Sequence, residues 1–184
     1  MYKNPWTVIS SKLIYDNKWI NLTEYDVINP GGGKGIYGKV HFKNRAIGIV
    51  VLDEDLNTYL VGQYRFTLDQ YTWEIPEGGG GFDEDPLDTA KRELLEETGI
   101  IADNWEKLLD FHLSNSVCDE QGQIFLARGL QFLDAEPEET EELAVKKLPF
   151  EEAYQMVLRG EITDSLAVAG ILRTKLLLQE RSII

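Results

Sequence analysis

Glu93, Glu96 and Glu97 stand three and four residues apart in a stretch, residues 77 to 99, that reads EGGGGFDEDPLDTAKRELLEETG and carries eight carboxylates against two cations. At roughly 100° per residue, a helix places these three side chains on one side and Leu87, Ala90, Leu94 and Thr98 on another. A solvated helix with acids at such spacings usually interleaves lysine or arginine at i+4, because like charges there destabilise it. None stands four residues after any of the three. Carboxylate oxygens suit hard divalent cations such as Mg²⁺, which keep waters and phosphate oxygens in their remaining positions. The chemistry within reach is therefore to hold a metal against a phosphate; the plainer alternative is a solvated acidic face.

The helix that must carry these acids is well marked. Asp85 is an N-cap, Pro86 occupies the first helical position and Gly99 is a natural stop, which predicts a helix of about 13 residues. Of the other acids in the stretch, Glu77, Asp83 and Asp88 read as solvated side chains, and Gly79 to Gly81 as a flexible turn. Before the helix the chain is β-rich. KWINLTEYDVI (18–28) alternates as a strand does, the Pro/Gly cluster 29–35 predicts a hairpin turn, and IYGKVHF (36–42) is the return strand. The apolar run 46–52 suits a central strand, followed by another at 58–66. After the helix, WEKLLDFHLS and GQIFLARGLQFL read as strands and EETEELAVKKLPF as an acidic loop running into a strand. Two amphipathic helices, 150–161 and 164–181, close a mixed α/β order.

The chain has 184 residues, 43% hydrophobic and 27% charged, enough for one packed domain with a decorated N-terminus. Its net charge of −14 argues against gripping nucleic acid or an anionic membrane. An anionic substrate would need positive charge from elsewhere, and a divalent metal is the obvious source. Cys118 is the only cysteine, which excludes an internal disulfide framework, and two histidines, His41 and His112, are too few for a His-rich zinc site. No apolar leader or membrane-length run is present, so the expected location is cytoplasmic.

Reading forward, the string is Gly78, five residues, Glu84, seven residues, Arg92, Glu93, Leu94, Leu95, Glu96, Glu97, Thr98, Gly99, Ile100. It resembles the Nudix hydrolase box, G-x5-E-x7-R-E-U-x-E-E-x-G-U with U aliphatic. The stretches GQYRF, WEIPEGG, DEQGQIFLA and GEITDSLAVAGIL resemble the nucleoside-diphosphate-sugar branch, which includes ADP-ribose pyrophosphatases. The resemblance implies a Nudix fold of the α/β (α+β) class: a mixed β-sheet core sandwiched by helices. It implies an N-terminal β-hairpin extension over 1–44 and a hydrolase domain over 45–184 with its box at 78–100. The implied activity is Mg²⁺-dependent hydrolysis, with Mn²⁺ as a substitute, of a nucleoside diphosphate sugar to a nucleoside monophosphate and a sugar phosphate. ADP-ribose is the first expectation, GDP-mannose or another nucleoside diphosphate derivative the second. A non-catalytic regulator that binds a nucleotide sugar and a nucleoside-triphosphate hydrolase are the further alternatives.

Residue roles follow from the same resemblance. Glu93 and Glu97 are the principal metal ligands, Glu96 a further ligand or water holder, and the main-chain carbonyl of Glu77 completes the set. Arg92 and Glu84 pair with the box carboxylates and hold the loop against the helix. Glu120, on the loop after the box, is the candidate catalytic base or an additional metal ligand, with Asp119 as its nearest rival. Arg65 grips the diphosphate or terminal sugar, Glu74 contacts substrate, and Trp19 and Tyr37 stack the nucleobase across a homodimer. One departure stands out: the ADP-ribose subgroup carries a serine-proline-glycine turn about 15 residues past the box. This chain has Asn115 at the proline position and Ser116 at the glycine.

Overall fold

The structure is a computed structural model that describes residues 2–133 and 143–181. It divides into two compact units, Met1–Asn44 with His112–Gln121, and Arg45–Phe111 with Gly122–Ile184.

The first unit is built on an antiparallel sheet in the order β1-β2-β3: β1 (Thr7–Asp16), β2 (Ile20–Ile28) and β3 (Lys34–Phe42). The hairpin expected over 18–42 is β2–β3, with Tyr25 opposite Tyr37 and Ile28 opposite Lys34. Its turn works through Asn29, whose Oδ1 accepts the N–H groups of Gly31 and Gly33 at 2.9 and 3.1 Å, while Gly32 takes φ +85°. The extension is thus a three-stranded sheet rather than a hairpin alone. Strand β1 leaves no mark in the sequence because all ten of its residues are exposed. With no buried face, nothing selects the period-two pattern that betrays a strand. Residues 112–121 belong to this unit as well, with a parallel bridge from Val40 to Cys118.

The second unit holds two sheets. One has the order β7-β4-β9-β8 and comprises β7 (Glu77–Gly81), β4 (Asn44–Val51), β9 (Gln121–Phe132) and β8 (Ile100–His112). In it β4 runs parallel to β9 with Ile49 opposite Phe125, so the sheet is mixed. The other, antiparallel, has the order β10-β5-β6: β10 (Ala144–Pro149), β5 (Asn57–Arg65) and β6 (Gln70–Glu74). Helices are α1 (Pro86–Thr98), α2 (Phe150–Leu158) and α3 (Ser165–Glu180). The apolar run 46–52 is the central strand its composition predicts: Ile47, Ile49 and Val51 are buried and pack with Ala90 and Leu94 of α1 and with Ile100, Phe125 and Ala127. The strand expected after the acidic loop is β10; residues 138–142 of that loop lie outside the described residues.

Helix α1 begins and ends where its signals stand. The Asp85 side chain accepts the Leu87 N–H at 2.8 Å, Pro86 is the first helical residue, and Gly99 closes the helix in the left-handed region at φ 69° with its N–H on the Leu95 carbonyl at 2.8 Å. Such an N-cap contributes about 1 kcal/mol. The glycine run that precedes it is a strand and not a flexible turn. A Cβ at Gly78 would lie 2.0 Å from Cδ of Glu93, and one at Gly80 would lie 2.3 Å from Oγ1 of Thr89. Missing side chains let β7 press against α1, and a conformational penalty of about 0.5–1 kcal/mol per strand glycine is the cost of that approach.

Candidate active site

The acidic face of α1 meets β7. Arg92 reaches back between the acids: Nη1 donates to Glu93 Oε1 and Glu96 Oε2, both at 2.9 Å, and Nη2 donates to the Gly79 carbonyl at 3.2 Å. Its Nε lies 3.5 Å from Glu84 Oε1. One guanidinium therefore ties two helix carboxylates, the loop acid and the glycine strand together. Burial alone would lower its pKa, but the surrounding carboxylates reverse this and raise it, so it is a permanent cation. Glu97 is 3% exposed, and its Oε2 accepts the main-chain N–H of Glu77 at 2.9 Å. That bond aligns the start of β7 with the helix.

Does this donor set fit a divalent cation? Among the described residues no group of three or more His, Cys, Asp or Glu side chains stands ready to hold a metal ion. Arg92 supplies the positive charge between Glu93 and Glu96 instead. The chemistry of the donors nevertheless fits: they are oxygens only, Glu84, Glu93 and Glu96 face one arginine, and the Glu93 carboxylate lies over Gly78 in a cradle that a Cβ would fill.

A second arginine stands at the other end of β7. Arg65 Nε donates to both oxygens of Glu74 at 3.0 Å, and Nη2 reaches Glu74 Oε2 at 2.5 Å and Glu77 Oε1 at 2.6 Å. Thr72 also donates to Glu74 at 2.7 Å. Arg65 and Glu74, which the resemblance assigns to substrate, are thus paired with each other, and Glu74 is buried. Arg65 straps β6 to β7 across Pro76 and leaves 35% of its side chain exposed. Glu77 was expected to be solvated, yet its side chain is only 12% exposed and its Oε2 is buried without a hydrogen-bond partner among the described residues. Burial pushes its carboxyl well above the usual range, Asp164 and Glu74 push it further, and Arg65 pulls it back.

Arg45 joins this site with no signal in the sequence. Its guanidinium donates to the carbonyls of Gly81, Glu84 and Phe82 at 3.3, 3.5 and 3.5 Å and lies 4.8 Å from the centroid of the Phe82 ring. It clamps the loop between β7 and α1.

The remaining predicted residues belong to the first unit. Glu120 is half-buried, just before β9. Its rival Asp119 is engaged: Lys39 Nζ lies 2.7 Å and His41 Nδ1 2.8 Å from Oδ2, and Oδ1 accepts the Phe42 N–H at 3.1 Å. Burial raises the Asp119 pKa, but these partners overcome it and hold it at about 2, too acidic for a base near neutrality. Trp19 and Tyr37, which the resemblance places on different subunits of a homodimer, stand apart within this one chain. Trp19 sits at the β1–β2 turn, 55% exposed, with Lys18 Nζ 4.3 Å from its ring centroid, whereas Tyr37 pairs with Tyr25 well along the hairpin. The partner of Tyr37 is Trp6, edge-on at 5.4 Å and 80°. These two, with Tyr25, Val27, Val8, Lys39 and Asn4, line a cavity of about 290 Å³. Tyr25 could have been found from the sequence, since it and Tyr37 lie equally far from Gly31 at the hairpin tip; Trp6, ahead of the first strand, could not.

A family model described as the NUDIX domain matches residues 42–169, and one described as the nucleoside diphosphate sugar hydrolase N-terminal domain matches residues 6–40. An ADP-ribose pyrophosphatase of Mycobacterium tuberculosis is 36% identical over 180 residues, spanning 94% of this chain and 84% of that protein. An ADP-ribose pyrophosphatase of Bacillus subtilis is 31% identical over 159 residues, 85% of each chain. A solved structure described as that of an ADP compounds hydrolase superposes with a TM-score of 0.89 over 100% of both chains at 18% identity, which shows a shared fold.

Proposed function

Because this chain belongs to the Nudix family, we propose that it is a divalent-metal-dependent pyrophosphatase that hydrolyses a nucleoside diphosphate sugar, ADP-ribose foremost, to a nucleoside monophosphate and a sugar phosphate. What carries this reading is the face of α1 laid on β7: Glu93 and Glu96 gathered by Arg92, and Glu97 tied to the Glu77 N–H, over a glycine strand, in a chain whose relatives include two ADP-ribose pyrophosphatases.

Glu93, Glu96 and Glu97, with the main-chain carbonyl of Glu77, are the groups that would hold Mg²⁺, for which Mn²⁺ substitutes. A bound ion would neutralise the diphosphate and the charge that develops on the attacking and leaving oxygens. Everything else falls to the chain. Arg92 orients the carboxylates and holds Glu84 and Gly79 beside them. Glu97 fixes β7 through the Glu77 N–H. Glu120 takes the proton of the attacking water as general base, and the exposed part of Arg65 meets the diphosphate. The cavity walled by Trp6, Tyr25 and Tyr37 takes the base, and Tyr37 keeps the stacking role the resemblance gives it. Aromatic faces stack any nucleobase, each contact contributing about 1–3 kcal/mol.

The enzyme works as a homodimer in the cytoplasm and has no nucleic-acid or membrane partner. The dimer reading is supported by β1, which exposes Val8, Ile9, Leu13, Ile14 and Tyr15. The charge of −14 opposes polyanion binding, and among the described residues no helix is long and apolar enough to cross a membrane.

The test is a panel of sugar nucleotides, GDP-mannose included, assayed with Mg²⁺ for phosphates that become open to a phosphatase. Turnover on ADP-ribose that EDTA abolishes is expected. Substantial turnover in the chelator would refute the metal-dependent mechanism, and preferential release of pyrophosphate from nucleoside triphosphates would refute the substrate class. For the base cavity, Trp6→Ala should raise KM for ADP-ribose about tenfold at nearly constant kcat, as loss of uniform binding requires. A fall in kcat with KM unmoved would take the nucleobase elsewhere.

A further inference from the structure

The segment between β8 and β9 is strapped to β3 by contacts that converge on one side chain. Two main-chain bonds tie it down, Val40 N–H to the Val117 carbonyl at 2.9 Å and Asp119 N–H to the Val40 carbonyl at 3.2 Å. The Tyr37 hydroxyl donates to the Ser116 carbonyl. Inside the segment, Val117 and Cys118 turn back onto the Ser114 carbonyl at 3.0 and 2.9 Å. The other three ties all end on Asp119: Lys39 at 2.7 Å, His41 at 2.8 Å and the Phe42 N–H at 3.1 Å. An ionised acceptor with two cationic or ring-nitrogen donors and a main-chain donor makes charge-assisted bonds, about twice as strong as neutral ones. Without that carboxylate, the strap would lose its charge-assisted ties and keep the Val40 bridge and the Tyr37 hydroxyl bond.

Asp119 immediately precedes Glu120, so what anchors one fixes where the other begins. We infer that Asp119 is a positioning residue: its carboxylate latches residues 114–119 to β3 and thereby fixes where Glu120 stands on this unit. The inference rests on the reading of Glu120 as the general base. Proton transfer needs the base within hydrogen-bond reach, and a displacement of about 1 Å can cost about a hundredfold in rate. The latch also shares Tyr37 and Lys39 with the cavity wall. Its loss must therefore be told apart from a change in the cavity by which kinetic constant moves.

The experiment compares wild type, Asp119→Ala and Asp119→Asn on ADP-ribose with Mg²⁺, together with amide hydrogen exchange of peptides covering 112–121 and 86–98. The asparagine side chain would keep an acceptor for Phe42 but no charge for Lys39 and His41. The latch predicts kcat lowered about tenfold or more in the alanine variant and less in the asparagine variant, with KM within about threefold of wild type. It also predicts faster exchange at 112–121 while 86–98 is unchanged, which certifies the fold. Wild-type kcat in Asp119→Ala, a change confined to KM, or unaltered exchange at 112–121 would each overturn it. If wild type turns over no sugar nucleotide, the proposed function fails and the exchange alone decides the latch, faster exchange sustaining it and unaltered exchange overturning it.

Discussion

Glu97→Gln is expected to leave no more than about one-hundredth of the wild-type turnover in a protein that still folds. Glutamine has the shape of glutamate and retains a carbonyl oxygen to accept the Glu77 N–H, so the tie between α1 and β7 survives. What disappears is a negative charge on a side chain only 3% exposed. If that carboxylate helps hold the ion, its loss removes a share of a transition-state effect of several kcal/mol, and each 1.4 kcal/mol is about tenfold in rate. The fold should lose little, because removing a buried charge relieves desolvation and partly offsets the weaker hydrogen bond. Turnover on ADP-ribose and thermal unfolding, measured side by side, check both halves. Retention of more than about a tenth of kcat would remove Glu97 from the metal set. Wild-type protein with no turnover to lose would instead indicate a ligand-binding regulator.

Gly78→Ala should cost nearly as much by a different route. Its new Cβ would lie 2.0 Å from Cδ of Glu93 and 2.2 and 2.3 Å from the carboxylate oxygens, closer than real Cβ atoms approach. The glutamate is the flexible partner, so it moves and the backbone stays. Stability therefore changes by no more than the roughly 1–3 kcal/mol that overpacking costs, as when one methyl is inserted into a core. The Glu93 carboxylate, however, is pushed off by about 1 Å, and kcat should drop about a hundredfold. Restoring contact distance with Gly78→Ala/Glu93→Asp, whose carboxylate is one methylene shorter, should recover part of the loss. An alanine variant with unchanged kcat would show that Glu93 does not act from its place over Gly78.

Local features were legible in the sequence and long-range ones were not. Helix α1 was readable because Asp85, Pro86 and Gly99 act on backbone within a turn of themselves, and the face of Glu93, Glu96 and Glu97 follows from helix geometry alone. Strand β7 was not, since four glycines argue for a turn until the helix lying on them is known. Taken one at a time, Arg65 and Glu74 go to substrate and the Glu77 side chain to solvent. Their mutual pairing depends on β5, β6 and β7 being brought side by side, which no spacing reveals. Glu77 is the sharpest case: a glutamate beside glycines reads as solvated, and only tertiary burial turns it into a half-satisfied carboxyl. Trp6 and Tyr37 likewise meet through the fold and not through the chain.

The glycine strand also sets how this protein can be redesigned. Gly78 and Gly80 leave no space that a larger side chain could use without moving Glu93 or Thr89. These two positions of β7 are therefore closed to larger side chains. The aromatic cavity is the reverse: Trp6 and Tyr37 are 39% and 37% exposed, on a compact unit of their own. On the proposed reading of that cavity, a library aimed at a new base preference should randomise Trp6, Tyr25 and Tyr37 and leave Gly78 and Gly80 fixed, since variants in the cavity would trade affinity between bases while those at the two glycines would displace Glu93 or Thr89.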